Sequence, residues 1–179
     1  MAEATDIQKQ RAIEAAQGYL MLDLPDAVLR RLGIFTDSAV TPPAVEQLRG
    51  EAFRLKEDYE RALQHFELVP ADAEHNLDLQ MGKAWCFKRI GRLDKAIESM
   101  REAYRGSPKV ALVLYNLACY FSLAGEKEEA LSWLARAFRM DNTLRLLVPR
   151  ETDFDPLRND QDFIYLVQLS EPKESRKTS

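Results

Sequence analysis

"ALVLYNLACYFSLAGEKEEALSWLARAFRMD", residues 111–141, decides the fold. In its first half Leu112, Leu114, Tyr115, Leu117, Ala118, Cys119, Phe121 and Leu123 cover far more than one stripe of a helical wheel. A surface helix of a globular protein hides one face and wets the other. This helix therefore needs cover on two sides. Gly125 breaks the pattern, and Ala130, Leu134 and Ala137 then return at helical spacing as the inner stripe of a second helix.

The same hairpin recurs along the chain. A slide of 34 residues aligns a small column (Ala16, Gly50, Ala84, Ala118) and, three positions later, an aromatic one (Tyr19, Phe53, Phe87, Phe121). Further on stand Val28, Ala62, Ala96 and Ala130, then Leu32, Phe66, Met100 and Leu134, then Phe35, Val69, Ala103 and Ala137. Small residues at facing positions let two helices approach closely, and the aromatic fills the space where they spread. Each pair leaves an apolar face that only a neighbour can cover, so the second face of 111–124 is expected to meet neighbouring repeats. Ser107 is expected to cap the helix that Pro108 begins, and Thr41 to cap the helix of "VTPPAVEQL" (40–48).

At 179 residues, with 46% hydrophobic and 30% charged residues, the chain has the balance of one soluble domain. A net charge of −4 gives no basic footprint for nucleic acid. "MAEATDIQKQR" lacks the apolar core of a secretory signal, and no run is long enough to span a bilayer. Cys86 and Cys119 form no metal-type pair and read as free thiols in a reducing compartment. A cytoplasmic location without membrane or nucleic-acid partners is the expectation.

The 34-residue pattern of small residue, aromatic and Ala-x3-large resembles the tetratricopeptide repeat. The resemblance implies an all-α, right-handed α-solenoid of about four hairpins plus a C-terminal capping helix. Repeats fall at 43–76, 77–110 and 111–144, with a degenerate one at 9–42 and disordered ends at 1–8 and 170–179. The stretch 145–169, with its "DFDPLR", looks like the segment that closes many bacterial arrays. Asp155 is expected to cap its helix, and Phe154, Leu157, Phe163, Ile164 and Leu166 to plug the exposed end.

Catalytic and metal-binding patterns are missing from the sequence. The acidic run Glu151, Asp153, Asp155, Asp160, Asp162 has none of the glycine a calcium loop requires. His65 and His75, ten residues apart, have no further ligands at zinc spacing, and neither phosphate-loop motif occurs. The expectation is a non-enzyme with no cofactor and no metal.

A binding surface remains. The family's register turns the first helix of each pair towards a concave groove. Its stripe comprises Gln10, Ile13, Gln17 and Leu20, then Ala44, Gln47, Glu51 and Arg54, then Asp78, Met81, Trp85 and Lys88, then Leu112, Tyr115, Cys119 and Ser122. Trp85, Met81 and Tyr115 would receive an apolar anchor, since Trp and Tyr often carry binding energy. Arg54, Lys88 and Arg89 would hold an acidic group of the partner. Chaperone-tail binding by a carboxylate clamp is disfavoured, because the matching places hold Gln47, Glu51, Gly82, Leu112 and Asn116. The expected function is an adaptor or scaffold that binds a peptide or protein segment. The alternative is a small acidic secretion-type chaperone that holds a client and forms a homodimer through "YLMLDLPDAVLRRLGIF" (19–35).

Overall fold

A computed structural model describes residues 5–35, 41–70 and 76–168. All regular elements among them are helical. The chain forms two compact units, Met1–Pro108 and Lys109–Ser179.

The first unit contains three hairpins. Helices α1 (Asp6–Met21) and α2 (Pro25–Arg31), the latter extended by a 3-10 turn at Leu32–Phe35, make the first. Helices α3 (Pro43–Leu55) and α4 (Tyr59–Glu67) make the second, α5 (Leu77–Arg89) and α6 (Leu93–Gly106) the third. Within each hairpin the two helices pack together. Between hairpins α1 packs on α3 and α3 on α5, while α2 meets α3 and α4 meets α5. The second unit contains α7 (Ala111–Leu123), α8 (Lys127–Met140), three 3-10 segments (Asn142–Leu146, Val148–Arg150, Thr152–Leu157) and α9 (Gln161–Gln168).

The small and aliphatic columns are core positions, whereas in the aromatic column only Phe121 is buried, Phe53 and Phe87 are half-buried and Tyr19 is exposed. Ala16, Ala84 and Ala118 are fully buried, as are Val28, Ala62, Ala96 and Ala130, and then Leu32, Met100 and Leu134. The second hairpin is a variation on this theme. It sets a larger side chain, Phe66, against a glycine, Gly50. A Cβ on Gly50 would lie 2.4 Å from Phe66 Cε1, so the ring takes the volume that alanine fills elsewhere.

The turn within each hairpin has one backbone geometry. Asp23, Glu57, Gly91 and Gly125 all have positive φ, at 53°, 59°, 76° and 76°. Their amides donate to the carbonyls of Leu20, Arg54, Lys88 and Ser122, and the next amides donate to Tyr19, Phe53, Phe87 and Phe121. This paired pattern satisfies the last carbonyls of a helix and needs a left-handed residue, a conformation that costs a side-chain-bearing residue about 1–2 kcal/mol.

Several expected ends fall differently. Thr5 and Gln8 form a reciprocal capping box, so α1 starts at Asp6, inside the stretch expected to be disordered; residues 1–4 lie outside the described residues, as do His75 and 169–179. Ser107 closes α6 instead of opening α7, which begins only at Ala111. A residue before proline is pushed from the helical region, and Ser107 accordingly sits at φ −139° and ψ 65°. Thr41 caps nothing: Pro43 begins α3 after Pro42. Pro156 lies inside a 3-10 segment capped by Glu151, not Asp155, and Asp160 caps α9 by accepting from the amides of Asp162 and Phe163.

Helix α7 has its two covers. Within the second unit one is α8, and the other is the C-terminal 3-10 segment Thr152–Leu157. Phe154 is fully buried there, edge-on to Tyr115 at 5.6 Å between ring centres and 5.4 Å from Phe163. Leu157 and Phe163 are buried with it, while Ile164 and Leu166 are half-buried. Arg145 pins α9 by donating to the carbonyls of Val167, at 2.9 Å, and Leu166. A cation there also suits the negative end of the helix.

Candidate interaction cleft

In the first unit, α1, α3 and α5 bound an open cleft of about 650 Å³. The helical stripe at i, i+3, i+7 and i+10 builds its walls. Gln17 and Leu20 come from α1, Ala44, Gln47, Glu51 and Arg54 from α3, and Asp78, Met81 and Trp85 from α5. Trp85 keeps 42% of its surface exposed beside this cleft. The size suits a ligand side chain or a short peptide segment.

The polar groups of the cleft are largely paired among themselves. Arg54 Nε donates to Glu51 Oε2 at 2.7 Å, and Asn76 Nδ2 donates to Gln47 Oε1 at 3.2 Å. Asn76 also caps α5 through the amide of Leu79. Glu51 is largely buried, and that burial raises its carboxyl above the usual range. Arg54 opposes the rise, and the charge of Asp78 adds to it. Room for this carboxylate comes from Gly82, where a Cβ would lie 2.6 Å from Glu51 Oε1. Cys86, on the buried side of α5, has its thiol pushed up to about 12 by burial, and it is no nucleophile.

The other expected site residues lie elsewhere. Lys88 does not line the cleft; its ammonium stands 5.4 Å from the Trp85 ring centre. Arg89 is directed to α4, where Nε donates to Tyr59 Oη at 3.1 Å. In the second unit Leu112 is exposed, but Tyr115 and Cys119 are each only 2% exposed and Ser122 is buried too. Tyr115, Cys119 and Ser122 are thus corrected from groove residues to buried ones, with Phe154 of the chain's own C-terminal segment against Tyr115. The hydroxyls of Tyr115 and Ser122 have no hydrogen-bond partner among the described residues. Burial raises the Tyr115 phenol, with the nearby Cys119, Glu151 and Asp153 adding and Arg158 opposing.

Three residues that line the cleft, Leu48, Asn76 and Gly82, lie outside the stripe expected from the sequence. Asn76 carried the signal of a cap before an apolar-periodic run. Gly82 carried none, because its role depends on a side chain from another helix. His65 is directed to Glu46: its Nδ1 lies 2.7 Å from that buried carboxylate, which also pairs with Arg49. The donors Cys119, Glu151 and Asp153 lie within 4.8 Å of one another, and Glu151 accepts from the Asp153 amide.

Residues 77–109 match the family model of the tetratricopeptide repeat. They are the third hairpin, α5 and α6, and they contribute Trp85, Met81 and Asp78 to the cleft. No curated protein matches the sequence. Among solved structures, a crystal structure of MamA is similar with a TM-score of 0.69 at 16% identity, over 75% of this chain and 78% of that one. MamA of AMB-1 gives 0.69 at 14% identity, over 92% and 93%. These likenesses show the fold, a helical solenoid.

Proposed function

We propose that the chain is a non-catalytic protein-interaction module whose α1–α3–α5 cleft receives a segment of a partner protein. One observation carries this reading: a large aromatic residue, Trp85, is left 42% exposed beside a 650 Å³ cleft built from one stripe of three helices. Trp, with its apolar body and polar tip, is enriched at interfaces. No constellation of nucleophile, base and oxyanion donors accompanies it among the described residues, and the buried Cys86 thiol is protonated. The test is selection of peptides from a random library on the full chain, followed by calorimetry with Trp85→Ala. Selected peptides should bind the variant at least tenfold more weakly, as expected of a central aromatic anchor. Unchanged affinity would refute the cleft as the site.

A second reading has its own support. Met21 is 87% exposed, and Leu22, Leu24 and Tyr19 beside it are exposed as well, an apolar run at the first turn. Such a patch fits a homodimer face or a client-holding surface. Sedimentation equilibrium of wild type and Met21→Glu/Leu22→Lys distinguishes it: a concentration-dependent mass lost in the variant supports the dimer.

A further inference from the structure

We infer that the cleft takes a basic side chain, a lysine or arginine next to an apolar residue of the partner, with Glu51 and Asp78 receiving the cation and Trp85 packing on its alkyl stem. This rests on the cleft being the binding site, and it reverses the sign of charge expected from the sequence.

The three cations that the sequence offered for an acidic partner are committed elsewhere. Arg54 is held by Glu51 at 2.7 Å, Arg89 by the Tyr59 hydroxyl and ring, and Lys88 stands over Trp85 outside the lining. Of the charged groups that line the cleft among the described residues, two are carboxylates, Glu51 and Asp78, against the one guanidinium of Arg54. The floor therefore carries an excess negative charge.

Glu51 is the more informative of the two. Its side chain is only 16% exposed, one oxygen is bonded to Arg54, and the other sits over Gly82. A desolvated carboxylate is costly unless its charge is fully compensated. Its raised carboxyl shows that Arg54 alone does not compensate it. An incoming ammonium or guanidinium supplies what is missing and is itself relieved by Asp78. The stem of a lysine or arginine is apolar and matches Met81, Leu20 and the exposed ring of Trp85. An aromatic face also attracts cations, as Lys88 already demonstrates on the same ring.

The test uses the full chain carrying Trp133→Phe, which leaves Trp85 as the sole tryptophan reporter. The probes are two acetylated hexapeptides, one alternating Leu with Lys or Arg, the other alternating Leu with Glu or Asp, read by Trp85 fluorescence. The basic peptide should bind about tenfold or more tightly than the acidic one, and Glu51→Gln or Asp78→Asn should each weaken it about tenfold. Asp78 is exposed in the first turn of α5, so its variant keeps the test valid should Glu51→Gln fail to fold. Lys88→Gln should leave the basic peptide's affinity unchanged or improve it. Preference for the acidic peptide, weakened by Lys88→Gln, overturns the charge assignment while leaving the cleft as the site. Loss of neither peptide's signal on Glu51→Gln and Asp78→Asn, or no signal from either peptide, overturns the inference. Library-selected binders that ignore Trp85→Ala overturn the cleft itself.

Discussion

Gly50 and Phe66 form a matched pair, and Gly50→Ala should show it. The added Cβ would lie 2.4 and 2.5 Å from Cε1 and Cδ1 of Phe66, where carbon pairs settle near 3.5–4.0 Å. Phe66 is 1% exposed and cannot swing into water. Retreat is limited too, because its far edge already crowds the position of Gly82, where a Cβ would be 2.9 Å from Cζ. Overpacking of this kind costs about 1–3 kcal/mol. Alanine returns up to about 1 kcal/mol of helix propensity in the middle of α3. The net expectation is a loss of roughly 1–2 kcal/mol, a fall of about 0.5–1 M in urea midpoint at ordinary m-values. Phe66→Leu restores the arrangement of Ala118 with Leu134, so the double variant should be no less stable than Phe66→Leu alone, a coupling of roughly 1–2 kcal/mol. Urea unfolding followed by Trp85 fluorescence in the Trp133→Phe background reports the unit concerned. A Gly50→Ala protein as stable as wild type, or single effects that simply add, would refute the reasoning.

Phe154→Ala should cost about 3–5 kcal/mol in the second unit and speed the reaction of Cys119 with a thiol reagent, while Cys86 stays protected. Tyr115→Phe removes a buried hydroxyl without a partner, so thermal unfolding should show the variant neutral or more stable by up to about 1 kcal/mol. Glu57→Gly relieves a left-handed residue and should stabilise by up to about 1 kcal/mol, whereas Gly91→Ala at the equivalent turn should destabilise by about the same amount in urea titrations. Lys127 pairs with Asp160 at 2.6 Å and holds its carboxyl below the usual range. Stability from this pair is therefore complete above the ordinary carboxylate range and is lost as pH falls through Asp160's lowered value. Protection of α9, relative to the intrinsic exchange rate at each pH, should fall over that interval, and Asp160→Asn should diminish this change while the Lys127–Asp162 pair remains.

The repeat was legible because helix packing writes itself into residue size. Alanine at 84 and 118 and glycine at 50 each answer a bulky partner sixteen residues on, and such pairs repeat at a fixed interval. The cleft was legible on α3 and α5 for the same reason: a stripe not needed for the core has to face outwards. On α7 the same stripe meets the chain's own C-terminal segment, and nothing in the spacing of Tyr115, Cys119 and Ser122 distinguishes a solvent-facing stripe from a covered one. Charge was least legible. Arg54, Lys88 and Arg89 look available in sequence, yet their neighbours in space, Glu51, Trp85 and Tyr59, decide what each can hold.

The hairpin turns bear on how such a chain changes length over generations. Aspartate, glutamate and two glycines occupy one backbone position at intervals of 34 residues, so the copied unit is the path of the chain and not a residue type. An extra residue inside a hairpin would rotate one helix by about 100° against its partner and face the alanine column with the wrong side chains. A duplicated segment of one whole interval would bring its own turn, its own carbonyl bonds and its own matched column. Growth and loss are therefore stepwise, in units fixed by the backbone path of that turn.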